Sequence, residues 1–283
     1  MSTVRRLLHD QHLHSRHSFD SSADPRDNVL AAIDRGLSGL TFTEHFDTHP
    51  DEWKECTYDD DAYSADIARL QDEFGDRIFV GKGIEICYQP ERLDFILEFL
   101  SGHRFDLVLL SVHWTHGRPI HERPVIEEWG SAGATRRYLE TVLEAARTCG
   151  RLRARHGRRC FDVLGHLDFV KRYTHRFLGE TAVDRHGNLL DQIAAACLEA
   201  DLVPEVNTST IRGGLADPMP GPAFVRRYAA AGGTAMSLGS DAHKSEVIAA
   251  DFDAVAAMLG DAGVTRQAVF QDRQATLRPL TPE

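Results

Sequence analysis

Short runs of aliphatic and β-branched residues alternate along the chain with longer stretches whose apolar positions recur every three to four residues. The first pattern predicts strands at Leu7–His14, Leu40–Thr43, Ile78–Glu85, Leu107–His113, Phe161–His166, Leu202–Asn207 and Ala235–Ser240. The second predicts helices over 25–36, 60–75, 90–100, 134–156, 188–200, 221–231 and 245–259. Asp24-Pro25 has the form of an N-cap followed by a first-turn proline, and Gly36 and Gly150 mark helix ends or loops. Seven strand–helix repeats with short connections argue for a parallel α/β barrel, although periodicity alone also permits an open sheet. The last stretch, from Ala268 to Leu280, is a short added strand or a packing tail. Irregular segments at 46–59, 114–133 and 171–187 each follow a strand, where catalytic loops sit in barrels.

The polar residues then fall in a telling order. The strand ends carry His12 and His14; Glu44 and His45; Glu85; His113; His166 and Asp168; Glu205 and Asn207; Asp241 and His243. Taken alone, His113 or His166 reads as a hydrogen-bonded structural histidine, Glu85 as a strand-end charge and Asp241 as a helix cap. Seven strand ends of one polarity instead point to a metal site on the C-terminal rim of the strands. Imidazole and carboxylate without thiolate suit zinc, manganese or iron. Six histidines (12, 14, 45, 113, 166, 243) and three carboxylates (Asp20, Glu85, Asp241) exceed one ion's needs, so two or three divalent ions are expected, with Glu85 as the bridge. Such a cluster is locally cationic and suits an anionic substrate.

Composition narrows the rest. A chain of 283 residues with 42% hydrophobic content can fill one barrel, so a single domain over 1–283 is expected. No apolar run suits a membrane span, and the first residues lack a signal peptide's apolar stretch, which makes the cytoplasm the expected location. Five scattered cysteines without a C-x-x-C pair read as reduced thiols. The net charge of −11 argues against extended nucleic-acid binding but leaves room for a local pocket for one small phosphate.

His12-x-His14 with Asp20, Thr43-Glu44-His45, Gly83-Ile84-Glu85, Ser111-Val112-His113, Gly165-His166-Leu167-Asp168 and Gly239-Ser240-Asp241-Ala242-His243 together resemble the PHP (polymerase and histidinol phosphatase) superfamily. The stretch Phe161–Asp168 followed by Lys171-Arg172-Tyr173, and Glu205-Val206-Asn207-Thr208-Ser209 with Arg212, resemble its histidinol-phosphate phosphatase branch. The resemblance implies a distorted TIM-like (β/α)7 barrel with a trinuclear site. By position, His12, His14, Glu85 and Asp241 would hold one ion, Glu85, His113 and His166 a second, and Asp20, His45 and His243 a third. Arg172 and Arg212 would bind the substrate phosphate. The chain departs from the family pattern where many members carry His in place of Asp20, and at Thr210, where the branch has Gly.

The expected reaction is hydrolysis of a small phosphate monoester, L-histidinol phosphate above others, with Asp168 and Glu205 orienting ligating histidines or capping local structure. The acidic 46–61 loop, with Trp53 and Tyr58, could receive the ammonium of histidinol or be an ordinary solvated loop. Rival readings are a related phosphoesterase acting on another small ester or nucleotide, and a non-catalytic metal-stabilised module. An amidohydrolase also opens on His-x-His, but Glu85 on the middle strand and the Asp241–His243 pair favour the phosphoesterase.

Overall fold

Among the described residues, nine strands form one sheet and run through it in sequence order: β1 (His9–Asp10), β2 (Gly39–Phe46), β3 (Phe79–Cys87), β4 (Leu107–Ser111), β5 (Val163–Leu164), β6 (Val203–Asn207), β7 (Ala235–Gly239), β8 (Arg266–Gln271) and β9 (Gln274–Pro279). The computed structural model describes residues 8–52, 56 and 58–281. Neighbours from β1 to β8 are parallel, and only β9 returns antiparallel. All of β2 and nearly all of β3 are buried, as strands covered on both faces must be.

Helices α1 (Pro25–Asp34), α2 (Asp60–Phe74), α3 (Leu93–Gly102), α4 (Arg123–His156), α5 (Val170–Leu178), α6 (Gly187–Ala200), α7 (Ser209–Arg212), α8 (Pro222–Ala230) and α9 (Phe252–Asp261) connect the strands. Among the described residues, no helix is long and apolar enough to cross a membrane. The side chain of Asp24 caps α1 by accepting from Arg26 N, and Gly36 leaves the helix at φ +75°.

Several expectations need correction. Only His9–Asp10 of the first predicted strand is a strand, and Leu7 lies outside the described residues. Beyond it the backbone bonds change side. Gln11 N donates to Leu238 O, Asp241 N to His12 O and His14 N to Ala242 O, while Thr43 N donates to Leu13 O. His12 and His14 are thus held between β2 and the exit of β7. The helix expected from 134 starts at Arg123 with Pro124 in its first turn, bends at Gly130 (φ 64°, ψ 166°) and ends at Gly157 (φ +68°). Gly150 is therefore inside a helix rather than at its end. The segment 171–187, expected to be irregular, contains α5.

The helix expected over 245–259 forms only a turn at Ser245–Val247 and then α9. Buried Asp10 explains the gap, because its two oxygens accept from Ser240 N and Ala249 N and pin the intervening loop. The tail is a hairpin whose turn residues, Asp272 and Arg273, both have positive φ, the backbone a two-residue turn between twisted strands requires.

Candidate metal centre

The register of β2 against β3 sets His45 beside Glu85. Around that pair, the first residues beyond β4, β5 and β7 bring in His113, His166, Asp241 and His243. The segment after β1 adds His12 and His14. Asp241 sits at φ 52°, an uncommon backbone region for a residue with a side chain, held by its N–H to His12 O.

One carboxylate is the hub. Glu85 Oε2 is 3.2 Å from His12 Nε2, 3.4 Å from His14 Nε2 and 3.2 Å from His45 Nδ1. Its Oε1 is 3.0 Å from His166 Nε2 and 3.4 Å from His113 Nε2. Asp241 Oδ1 stands 3.6 Å from both His14 Nε2 and His243 Nδ1, and 3.9 Å from His12 Nε2. Asp20 Oδ2 is 2.9 Å from His243 Nε2 and 3.5 Å from His45 Nε2. All nine residues expected from the sequence therefore converge.

The donors suit cations. Ligand atoms about 2.1 Å from one tetrahedral ion lie about 3.4 Å from each other, the spacing seen around Glu85. His14 Nε2 and His45 Nδ1 are buried without a hydrogen bond. Burial would lower the His45 imidazole, but Glu85 and Asp20 outweigh it and raise it to about 9, so it must give up a proton to ligate. Burial, reinforced by the like charges of His45 and His243, lowers the His14 imidazole to about 3, so it is neutral and able to ligate. Burial would raise the Glu85 carboxyl, but His12 and His45 outweigh it and hold it well below the carboxylate range. Four groups of donors lie close enough to hold an ion: His12, His14 and Asp241, all from the first expected set; His12, Glu85 and His166, and His14, His45 and His243, which each draw on two expected sets; and His45, Asp47 and His113, which adds a residue outside them.

Behind these donors, Glu205 is fully buried. Its Oε1 lies 2.7 Å from His12 Nδ1, and its Oε2 accepts from His166 N at 2.7 Å and Asn207 Nδ2 at 3.4 Å. That contact fixes Nε2 as the face His12 presents to Glu85. Glu44 accepts from Ser15 and Ser18, and Ser18 Oγ in turn lies 3.1 Å from His14 Nδ1.

Asp168 does not orient a histidine as expected. Its Oδ2 accepts from Lys171 Nζ at 2.8 Å and from Gly221 N at 3.3 Å. The ammonium one helical turn along has captured it. Arg172 lines the cavity over the cluster, about 320 Å³ in volume, and donates to Asp241 Oδ2 at 3.2 Å and to Ser209 Oγ. Arg212 is not among the residues lining that cavity; it donates to the Asp241 carbonyl at 3.2 Å.

Asp47 is a residue the motif reading passed over. It is buried, with Oδ2 3.5 Å from His45 Nδ1 and Oδ1 3.6 Å from His113 Nδ1. Its spacing of two from His45, on one face of an extended segment, was the available signal.

Residues 10–209 match the PHP domain family. A probable histidinol-phosphatase of Deinococcus radiodurans is 30% identical, over 94% of this chain and 98% of that protein. The histidinol-phosphatase of Lactococcus lactis is 27% identical over 83% of each. Its crystal structure, complexed with zinc, L-histidinol and phosphate, superposes with a TM-score of 0.78 at 23% identity, covering 95% of this chain and 99% of that one. A putative histidinol phosphatase of Listeria monocytogenes superposes at 0.75 with 19% identity, covering 87% and 99%. At these identities the two structures speak for the fold, while the family match and the relatives of near-equal length speak for kinship. The chain belongs to the PHP domain family, among the members that include the histidinol-phosphatases.

Proposed function

We propose that the protein is a metal-dependent phosphate monoester hydrolase that converts L-histidinol phosphate and water to L-histidinol and phosphate. The observation that carries this reading is the single buried Glu85 carboxylate facing five imidazoles beneath a cavity that also holds Arg172. In this reading His12, His14, Glu85 and Asp241 hold one divalent ion, Glu85, His113 and His166 a second, and Asp20, His45 and His243 a third. Zinc, manganese and iron all suit such nitrogen and oxygen donors. The ions, when bound, supply Lewis-acid polarisation of the phosphoryl oxygens and acidify water enough for attack at neutral pH.

The chain's own residues do the positioning. Arg172 offers N–H donors to the phosphate oxygens and is itself aimed by Asp241 and Ser209. Arg212 acts one layer back, bracing the Asp241 backbone from which two ligands hang. Glu205 keeps His12 in the tautomer that leaves Nε2 free.

The sheet, in this account, closes into a distorted (β/α)7 barrel with the site on the C-terminal rim of its strands. The bonds joining residues 11–14 to 238–242 support the closure. A reducing compartment, the cytoplasm, fits the five free cysteines.

The test is elemental analysis of the purified protein with phosphate-release assays on histidinol phosphate, a mononucleotide and a short oligonucleotide. Histidinol phosphate should be turned over best, and His12→Ala should lose metal and nearly all turnover while keeping its far-UV circular dichroism. A fully metallated, active His12→Ala protein, or turnover of the nucleotide alone, would refute the assignment.

A further inference from the structure

The cavity over the cluster is also lined by two carboxylates outside the expected ligand sets, Asp47 and Glu52. Asp47 is 2% exposed, lines that cavity and has an Oδ1 that accepts no hydrogen bond; His113 Nδ1 stands 3.6 Å from it, and His45 Nδ1 stands 3.5 Å from Oδ2. Glu52, on the same loop after β2, lines the cavity too, and its Oε2 is buried without a hydrogen-bond partner. Among the described residues, no lysine or arginine pairs with either carboxylate. Burial and the neighbouring charge of Asp47 push the Glu52 carboxyl up, against the smaller pull of the Trp114 indole and of the His113 and His45 imidazoles. Two buried acceptor oxygens without donors are costly unless something in the cavity satisfies them.

We propose that Glu52, backed by Asp47, receives the ammonium group of the substrate and makes the site selective for phosphate monoesters that carry an amine. The inference rests on the phosphatase reading above and adds what that reading leaves open, the means of choosing among small phosphates. Arg172, the metal-ligand cluster, Glu52 and Asp47 line one cavity, so cationic and anionic groups face the same space. An aminoalkyl phosphate has the matching pair of charges. An ammonium brings three donors and a full charge to oxygens that have neither. A neutral alcohol phosphate of equal length would leave the two carboxylates unsatisfied, and the site would reject it on that ground.

The test compares kcat/KM for L-histidinol phosphate and for its deamino analogue, imidazolylpropyl phosphate, in the wild type and in Glu52→Gln. The wild type should favour the amine by about 10- to 100-fold, the usual worth of a charge-assisted hydrogen bond. Glu52→Gln should lose that factor on histidinol phosphate, stay within about twofold on the analogue and keep its full metal content. An equal fall on both substrates, no fall on either, or loss of metal from the variant would overturn the proposal. Failure of the wild type to release phosphate from either substrate would instead sink the phosphatase reading, and this proposal with it.

Discussion

Replacing Glu205 with glutamine keeps the shape of a fully buried side chain and removes one charge and one acceptor. The carboxylate takes His12 Nδ1–H on one oxygen and His166 N–H on the other, both at 2.7 Å. Glutamine can accept only one of these, because its other arm is an NH₂ group that confronts a buried donor. That mismatch costs about 1–3 kcal/mol of fold stability. It also makes His12 a weaker base and frees its ring to turn. Losing such a partner typically lowers metal affinity about 10- to 100-fold, or about 1.4–2.7 kcal/mol. The assay is competition against a chromophoric chelator at fixed pH, paired with thermal melting of the chelated protein. A Glu205→Gln variant with wild-type metal affinity would show that Glu205 does not act through His12. Gly239→Ala should behave similarly from the other direction, since a Cβ there would overlap Glu205 Oε1 and His12 Cβ.

Lys171→Met strands the buried carboxylate of Asp168 and should destabilise the protein by about 3–5 kcal/mol in urea unfolding; a loss under about 1 kcal/mol would mean the pair is dispensable. Arg172→Lys keeps the charge but loses the planar fork, and should lower kcat/KM by about 10- to 100-fold with metal content unchanged; unaltered kinetics would remove Arg172 from phosphate binding. Burial, with help from the charge of Arg278, lowers the His9 imidazole to about 3 against about 6.5 in the unfolded chain. A depressed folded value means the contribution is intact above pH 6.5 and drains away as the pH falls from there toward 3. His9→Gln should therefore show a shallower loss of stability across that window in acid titrations followed by denaturant melts, and an unchanged slope would contradict the burial argument.

The candidate ligands were legible because strand ends in a parallel sheet share a rim, so chemical type at those positions carries three-dimensional information. Nothing in the spacing of Asp168 distinguished it from Glu205. The difference is a tertiary and helical accident: Lys171 lies one turn along α5 and reaches Asp168, whereas no cation competes for Glu205 before His12 does. The start of α4 was hidden by Pro124 and the bend at Gly130, which break helical periodicity without ending the helix. α5 escaped notice because Val170–Leu178 is short and rich in charge, and gains its order from packing against α4. Asp47 belongs to a different class of miss: its role depends on His113, which is distant in sequence and close only after folding.

The backbone bonds between residues 11–14 and 238–242 have a consequence for the order of assembly. They stitch the first segment of the chain to one made more than two hundred residues later, and His12 and His14 stand on one side of that seam with Asp241 and His243 on the other. A nascent chain holds Glu85, His113 and His166 by residue 166, but the sets that use Asp241 or His243 stay incomplete until nearly the whole polypeptide has emerged. A divalent ion bound across the seam would then act as a clasp, slowing local opening there. Hydrogen exchange at Gln11, His14 and Asp241 amides would report that clasp directly, as protection gained on adding metal and lost on removing it.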